Sequence, residues 1–203
     1  MRITLTGSLG RIGKPLTKKL LNDGHIVTVI SSTNERKEPI NELGAIPAIG
    51  QLEDVPFLVS QFQDADAVYL MVPPANYFDH QLNLYEHFKE IGDAFYEALS
   101  QVEVSHIVNL SSIGAHLESG NGILEGTYYV EKVLNNLAGK ASIVHIRPTE
   151  IYYNLFQYVY LIKNHGMMGS NLAEDNFNAW VSTEDIADAV VEELTYLSRR
   201  NTV

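Results

Sequence analysis

The chain has 203 residues, of which 45% are hydrophobic, and a formal net charge of −11. This length is enough to bury one sizeable core. The acidic balance argues against wrapping of nucleic acid, because the surface would repel the phosphates. The chain contains no cysteine, which excludes disulfides, thiolate chemistry and cysteine-ligated metals.

Neither a membrane span nor a metal site is indicated by the pattern of residues. No apolar run is long enough to cross a bilayer, and the N-terminus enters a strand instead of a charged and then apolar leader. The seven histidines do not show the spacing of zinc ligands. We therefore expect a soluble, cytoplasmic protein without a membrane or metal partner.

The first predicted unit is a strand, 2–6, followed by a glycine-rich run and a helix, 11–23. A tight strand-to-helix turn favours Gly7, close approach of a pyrophosphate favours Gly10, and packing of the helix on the sheet favours Gly13. The helix N-terminus then faces the anion. With a second strand at 25–31, the pattern predicts a βαβ unit that binds a dinucleotide. The predicted cradle consists of Gly7, Ser8, Leu9, Gly10, Arg11, Ile12 and Gly13.

The end of the second strand indicates which dinucleotide is bound. An acidic residue there would bind the ribose hydroxyls of NADH and repel a 2′-phosphate. This chain has Ser31 and Ser32 at that position, with Arg36 and Lys37 shortly after. The pattern favours NADP(H) over NAD(H). The alternative is that Arg36 and Lys37 only begin a surface helix.

Further apolar runs of strand length lie at 45–49, 66–72, 104–110 and 142–146, and most are followed by helical patterns. Runs that are apolar on both faces predict a parallel sheet covered by helices on both sides, which is a doubly wound α/β fold. The ligand is expected in the crevice at the carboxyl ends of the strands. Val72, Pro73 and Pro74 end the fourth strand and are predicted to form a wall of this crevice.

The longest helical pattern extends from about residue 76 to residue 100. Its apolar positions either face the core or form the surface of a homodimer, and we favour the core because a covering helix must bury one face. The apolar positions are Leu82, Tyr85, Phe88, Ala94, Phe95 and Leu99.

Tyr128 and Lys132 form a YxxxK pair, the spacing that short-chain dehydrogenases use for proton transfer. The apolar residues of the same helix place its buried face elsewhere, since Val130, Val133, Leu134 and Leu137 share one side. Tyr128 and Lys132 then point toward solvent. We therefore favour an exposed structural pair over a catalytic one.

Residues 152–160, called here the aromatic segment, contain five aromatic side chains. Spacing alone favours a packed helix over the lining of a flat apolar substrate site. Farther on, Ser182 is predicted to cap a final helix whose buried stripe comprises Ile186, Ala189, Val190 and Leu194.

Several stretches together resemble the NmrA-like branch of the atypical short-chain dehydrogenases and reductases, over nearly the whole chain. The glycine-rich run is the least specific of them. The others are Ala65-Asp66-Ala67-Val68 leading to Pro73-Pro74, Asn109 to Ala115, Arg147-Pro148 with Asn154, and Trp180-Val181 followed by Asp185-Ile186-Ala187.

This resemblance implies a Rossmann-type domain over residues 1–150 and a small substrate lobe with a returning helix over 151–203. It implies that Ser111 and Ser112 lie near the nicotinamide, with Ser112 as the candidate catalytic residue. Pro148 and Glu150 would border the nicotinamide, and Tyr152 with Asn154 would face the substrate.

The chain departs from the family pattern at two positions. The family often has a lysine four residues before a helical glutamate, and a tyrosine four residues before that lysine. If Glu131 is that glutamate, these positions hold Thr127 and Ile123. This departure puts a tyrosine-based proton relay in doubt. Relatives also usually continue beyond the final helix, which implies a smaller pocket or an incomplete chain.

The sequence therefore favours an NADPH-dependent oxidoreductase that reduces a small flat acceptor, such as a quinone or a dye, by direct hydride transfer. The alternative is a non-catalytic regulator that senses the redox state of NAD(P)H and acts through a protein partner. A sugar-nucleotide epimerase is disfavoured, because that chemistry depends on the tyrosine that this helix lacks.

Overall fold

The structure is a computed structural model that describes residues 1–75, 82–169 and 179–200, with only the backbone described for 196–200. Eight strands and seven α-helices alternate along these residues. The strands are β1 Arg2–Leu5, β2 Ile26–Ser31, β3 Ile46–Ile49, β4 Ala67–Leu70, β5 His106–Leu110, β6 Ser142–Ile146, β7 Glu150–Ile151 and β8 Trp180–Val181. The helices are α1 Gly13–Asn22, α2 Lys37–Glu42, α3 Val55–Phe62, α4 Leu84–Ser100, α5 Leu124–Leu134, α6 Val159–His165 and α7 Thr183–Arg200.

Six strands form one sheet in the order β3-β2-β1-β4-β5-β6, and every neighbouring pair is parallel. All six lie within the apolar runs found in the sequence, and the predicted doubly wound α/β fold is confirmed. The strand order reverses between β1 and β4. Ligands of such sheets bind at this reversal, outside the carboxyl ends of the strands.

Each face of the sheet has its own apolar core. On one face, Leu58 and Phe62 of α3, Phe95 of α4, and Val130 and Leu134 of α5 are buried in one cluster. On the other face, α1 and α7 pack beside each other on the sheet, and their buried apolar residues are Leu16, Leu20, Ile186, Val190 and Leu194. The two cores fix the strands so that their carboxyl ends form a rigid edge.

Thr6 joins β1 to β4 at the point where the strand order reverses. Its main-chain N–H donates to the carbonyl of Tyr69 at 3.0 Å. Its hydroxyl accepts from the N–H of Met71 at 2.7 Å and donates to the Met71 carbonyl at 3.2 Å. Because Thr6 is fully buried, these bonds hold the two chain segments that leave the sheet at a fixed separation.

Two helices differ in detail from the prediction. Helix α4 begins at Leu84 because the side chain of Asn83 accepts a hydrogen bond from the N–H of Glu86 and so caps its start. Tyr85 is exposed instead of lying on the buried face. The start predicted for this helix, 76–81, lies outside the described residues. Helix α7 is capped by Ser182, as predicted. The Ser182 hydroxyl accepts a hydrogen bond from the N–H of Asp185 at 3.0 Å.

Candidate dinucleotide-binding site

The glycine loop connects β1 to α1 with a backbone that requires glycine. Gly7 has a φ of 84°, in the left-handed region, and a Cβ there would lie 2.0 Å from the sulfur of Met71. A Cβ on Gly13 would lie 2.1 Å from the carbonyl oxygen of Ser8. A side chain at Gly13 would therefore require the loop backbone to move. One at Gly7 would require the Met71 side chain to move and would be strained by the positive φ.

The start of α1 is arranged to accept an anion. Among the described residues, no side chain caps this helix. The N–H of Lys14 already donates to the Gly10 carbonyl at 3.0 Å, and Pro15 has no N–H. An anion would therefore meet the N–H groups of the loop before these residues and the positive end of the helix dipole. Ser8 adopts a φ of 53°, and its hydroxyl is buried without a hydrogen-bond partner among the described residues. A phosphate oxygen would satisfy that hydroxyl, so the loop fits the dinucleotide that its sequence predicts.

A cleft of about 280 Å³ opens beside this loop at the carboxyl ends of β1 to β4. It is lined by Gly7, Ser8, Ile30, Ser31, Ser32, Gln51, Leu52, Glu53, Pro73, His87 and Ile91. Gly7, Ser8, Ser31, Ser32 and Pro73 are predicted site residues that the fold brings together here. The lining combines apolar walls with a few polar groups, which is typical of a small-molecule site.

The sequence interpretation missed the contribution of β3 and α4 to this cleft. Gln51, Leu52 and Glu53 follow the end of β3, and a parallel strand order places that end at the same edge as the glycine loop. The signal was available, since 45–49 was already identified as a strand. His87 had no such signal, because its ring reaches the cleft from α4 and lies 3.2 Å from the carbonyl of Pro73.

Arg36 and Lys37 lie away from the cleft wall. The described residues that line the cleft include neither of them. Arg36 ends a short 3-10 helix, Asn34–Arg36, and Lys37 begins α2, and both side chains are exposed. Of the other predicted wall residues, Val72 lines a small neighbouring cavity and Pro74 is exposed.

On the other side of the reversal, the loop after β5 is joined to the segment after β6. The N–H of Ser111 donates to the carbonyl of Ile146 at 2.7 Å, and the N–H of Ile113 donates to that of Pro148 at 2.9 Å. These two bonds bring Ser111, Ser112 and Pro148 close together. Ser111 is buried and Ser112 is partly exposed.

An ion pair between a buried glutamate and an exposed arginine underlies this loop. Glu131 of α5 is 4% exposed, and Arg147 donates to its carboxylate from Nε at 2.8 Å and from a terminal nitrogen at 2.5 Å. Burial is the largest single influence on Glu131 and by itself would raise its pKa. The hydrogen bonds from Arg147, the nearby Ser111 hydroxyl and the electrostatic interactions with His145 and Arg147 together outweigh burial and hold the pKa below its ordinary value. The carboxylate is therefore ionised and serves to anchor Arg147 next to Pro148.

Next to this ion pair lies a cluster of buried polar groups. Asn109 and His145 are 3.1 Å apart between Nδ2 and Nδ1, and burial lowers the pKa of His145. The Ser111 hydroxyl lies near enough to the Glu131 carboxylate to help lower its pKa, yet it meets no described partner at full hydrogen-bonding geometry. Asn109 Oδ1 is likewise buried without a described partner. Asn109 and Ser111 also line the small cavity at the end of β5.

The YxxxK pair lies outside the buried face of α5, as predicted, but Tyr128 is only partly exposed. Lys132 is exposed and lies 3.5 Å from the Glu118 carboxylate and 5.7 Å from the ring centre of Tyr128. Thr127, at the family's lysine position, instead lines the small cavity beside Ser111, and its hydroxyl donates to the Leu124 carbonyl at 2.7 Å. The described part of α5 therefore places no tyrosine–lysine relay at Ser111.

The aromatic segment is the clearest departure from expectation. We favoured a packed helix, but residues 152–158 form a 3-10 helix that continues into α6, and Tyr153, Phe156 and Tyr160 are 43%, 66% and 68% exposed. Spacing misleads here because the two ring contacts that join the segment to other elements lie at its start. Tyr152 stacks on Trp180 with ring centres 5.9 Å apart, and the Arg11 guanidinium lies 3.5 Å from the ring centre of Tyr153.

The remaining predicted residues of this region are exposed. Glu150 lies in β7, where it pairs with Trp180 of β8, and Asn154 follows Tyr153 in the 3-10 helix. Within residues 1–75, 82–169 and 179–200, no cluster of His, Asp and Glu could hold a metal ion. The same residues include no helix with the length and hydropathy needed to span a membrane.

Several solved structures are similar to this fold. An NADPH-dependent quinone oxidoreductase of Escherichia coli, bound to NADPH, matches with a TM-score of 0.75 and 18% identity. The match covers 96% of this chain and 65% of that one. A UDP-glucose 4-epimerase of Stenotrophomonas maltophila, bound to NAD and a formylated UDP-arabinopyranose, has a TM-score of 0.77 and 18% identity, and the match covers 98% and 75% of the two chains.

Sequence comparison agrees with the fold. An uncharacterized protein of Schizosaccharomyces pombe is 29% identical over 102 residues, which make up 50% of this chain and 33% of that protein. The chain thus spans about a third of this relative. The model of a family described as NAD(P)H-binding matches residues 7–196, nearly the whole chain. The chain therefore belongs to the NAD(P)H-binding family and adopts its Rossmann-type fold.

Proposed function

We propose that the chain is an NADPH-dependent oxidoreductase of the NmrA-like type that reduces a small flat acceptor, such as a quinone or a dye. The observation that carries this proposal is the exposed aromatic segment, which lies against the dinucleotide loop through the contact of Arg11 with Tyr153. Exposed aromatic rings beside a nucleotide cradle suit a flat apolar acceptor. The likeness to an NADPH-dependent quinone oxidoreductase supports the same reading.

The proposed site places the dinucleotide phosphates on the loop from Gly7 to Gly13, with the adenosine in the cleft beside Ser31, Ser32 and Pro73. Arg36 and Lys37 contact the 2′-phosphate, which favours NADP(H). Val72, Pro74, Ser111, Pro148 and Glu150 border the rest of the dinucleotide. Tyr152 and Asn154 face the acceptor. No metal takes part.

The reaction requires two electrons and two protons for a quinone acceptor. Bound NADPH supplies a hydride, which carries both electrons and one hydrogen, and the second proton comes from solvent. The chain's own residues bind and orient the reactants. Ser112, partly exposed at the end of β5, donates a hydrogen bond to the acceptor oxygen as negative charge develops on it. A YxxxK relay is not needed.

A non-catalytic regulator that senses the redox state of NAD(P)H is the second candidate. One observation favours it: Lys132 contacts Glu118 on the protein surface, so the proton relay of short-chain dehydrogenases is not assembled near Ser111. This function would use the same dinucleotide site and a protein partner. With either function, we propose that the protein is cytoplasmic. A homodimer is compatible with both functions.

A titration with NADPH and NADH, followed by an acceptor screen on the same sample, tests the proposal. We expect NADPH to bind more tightly than NADH and its oxidation to be accelerated by at least one quinone or dye. Ser112→Ala should slow turnover without changing NADPH affinity. If none of the acceptors in the panel accelerates NADPH oxidation, the proposed oxidoreductase function is wrong.

The sensor makes a different prediction in the same samples. It requires unequal affinities for NADPH and NADP⁺, or two distinguishable protein conformations in the two complexes. Circular dichroism and limited proteolysis of each complex measure the second property. Equal affinities with identical digestion patterns would argue against the sensor.

A further inference from the structure

Arg11 links the dinucleotide loop to the aromatic segment. It lies between Gly10 and the first residue of α1, which is the part of the loop that faces an anion. Its guanidinium carbon is 3.5 Å from the ring centre of Tyr153. The two residues are far apart in sequence and belong to different parts of the predicted site. This contact therefore couples them directly.

The geometry leaves the hydrogen-bonding edge of Arg11 available. Guanidinium N–H groups lie in the plane of the group, whereas an aromatic ring contacts its face. A stacked arginine can therefore still donate to a phosphate. Among the described residues, no carboxylate lies within ion-pair distance of Arg11.

Tyr153 itself is held by neighbouring rings. Its ring centre is 4.9 Å from that of Phe156, and the preceding residue, Tyr152, stacks on Trp180 of β8. The face presented to Arg11 therefore belongs to a supported cluster of rings. A long arginine side chain loses much rotational freedom when it binds a phosphate, and prior stacking reduces that loss.

We propose that Tyr153 is a positioning residue that holds the Arg11 guanidinium ready to bind the phosphates of the dinucleotide. This inference rests on the proposed dinucleotide site and adds a residue from the acceptor side to it. Because coupling between two sites is reciprocal, a bound dinucleotide also stabilises the aromatic segment. The cofactor then helps to build the surface that receives the acceptor.

Four variants test this role by NADPH titration. Tyr153→Leu removes the ring and should weaken NADPH binding by about two- to fivefold, the range typical of an exposed cation–π contact. Tyr153→Phe keeps the ring face and should bind like the wild type. Tyr85→Leu is the matched control, since Tyr85 is exposed, contacts Tyr129 instead of Arg11 and lies outside the aromatic segment. Arg11→Gln completes a double-mutant cycle, in which Tyr153→Leu should add no further loss.

Two readouts do not depend on activity. In the free protein, the NMR signals of the Arg11 side chain should show a ring-current shift that Tyr153→Leu removes and Tyr153→Phe retains. Amide hydrogen exchange of residues 152–158 should slow on addition of NADPH in the wild type and change less in Arg11→Gln. Trp180, the one tryptophan in the chain, adds a fluorescence signal next to Tyr152.

The outcomes separate this inference from the function on which it rests. Wild-type protein that binds neither NADPH nor NADH overturns both. If the wild type binds NADPH, two results would overturn only the positioning role. One is an NADPH affinity of Tyr153→Leu equal to that of the wild type, and the other is additive losses of affinity in the double-mutant cycle. Equal weakening by Tyr153→Phe and Tyr153→Leu also contradicts it, because the phenylalanine ring preserves the stacking face.

Discussion

Two regions of the carboxyl edge of the sheet, one at β1 to β4 and the other at β5 and β6, differ in how they are built. On the β1–β4 side, the glycine loop and the cleft have backbone positions that exclude other residues, such as Gly13 against the Ser8 carbonyl. On the β5–β6 side, buried polar groups surround Ser111, while the tyrosine–lysine pair lies outside the buried face of α5. Main-chain geometry therefore shapes the proposed binding site at β1 to β4, whereas the chemistry proposed at β5 and β6 depends on a few side chains and on the bound dinucleotide.

The largest expected effect comes from Gly13→Ala, which places a Cβ against the Ser8 carbonyl oxygen. Overpacking of this kind costs about 1–3 kcal/mol of stability. NADPH affinity should fall by about tenfold or more, because the loop must move. Thermal unfolding and calorimetric titration measure the two effects. Gly169→Ala is the control, since no described atom lies within 4 Å of a Cβ there, and wild-type affinity in Gly13→Ala would break the comparison.

At β5 and β6, Arg147→Met tests the ion pair of Arg147 with Glu131. Loss of the guanidinium leaves the buried Glu131 carboxylate unpaired, and we expect a loss of about 1–3 kcal/mol. The exposed pair of Lys132 with Glu118 should be worth less than about 1 kcal/mol, so Lys132→Met is the control. Urea unfolding measures the loss in the free energy of unfolding for both variants. Equal losses would show that the ion pair of Arg147 with Glu131 stabilises the protein no more than an exposed pair does.

The same pair predicts a dependence on pH. The pKa of Glu131 is lowered in the folded protein, so its contribution to stability is present above the carboxylate's ordinary pKa of about 4.3 and is lost as the pH falls through the folded value. The difference between wild type and Arg147→Met should therefore shrink in acid. A difference that is constant from neutral pH downward would contradict this assignment.

Arg36→Gln sharpens the assignment of the cofactor. If Arg36 contacts the 2′-phosphate, NADPH should bind about tenfold more weakly, equivalent to about 1.4 kcal/mol, while NADH affinity stays unchanged. Lys18→Gln changes an exposed cation elsewhere in the N-terminal region and serves as the control. An equal loss of affinity for NADPH and NADH would show that Arg36 acts through its general positive charge and does not contact the 2′-phosphate.

The smallest effect is expected for Tyr128→Phe. Tyr128 lies beside exposed Lys132, away from the buried face of α5, so removal of its hydroxyl should change neither NADPH affinity nor turnover by more than about twofold. Steady-state kinetics with an active acceptor measure this. Abolished turnover would reverse our view of α5 and return the YxxxK pair to the catalytic site.

The sequence predicted the fold and the position of the glycine loop between β1 and α1, because strand length, apolar runs and the glycine spacing are local signals. It failed where contacts are distant in sequence. His87 lines the cleft from α4. Glu53 lines it because it follows β3, whose carboxyl end lies at the same edge of the parallel sheet as the glycine loop. The exposure of Phe156 and Tyr160 was missed because spacing does not show whether a helix has a partner.

The central claim is that the cleft beside the glycine loop binds a dinucleotide and prefers NADPH. Its most direct measurement is a pair of calorimetric titrations of one wild-type sample, one with NADPH and one with NADH. Our account predicts one site per chain for NADPH and a lower affinity for NADH. Tighter binding of NADH, or no binding of either dinucleotide, would contradict it.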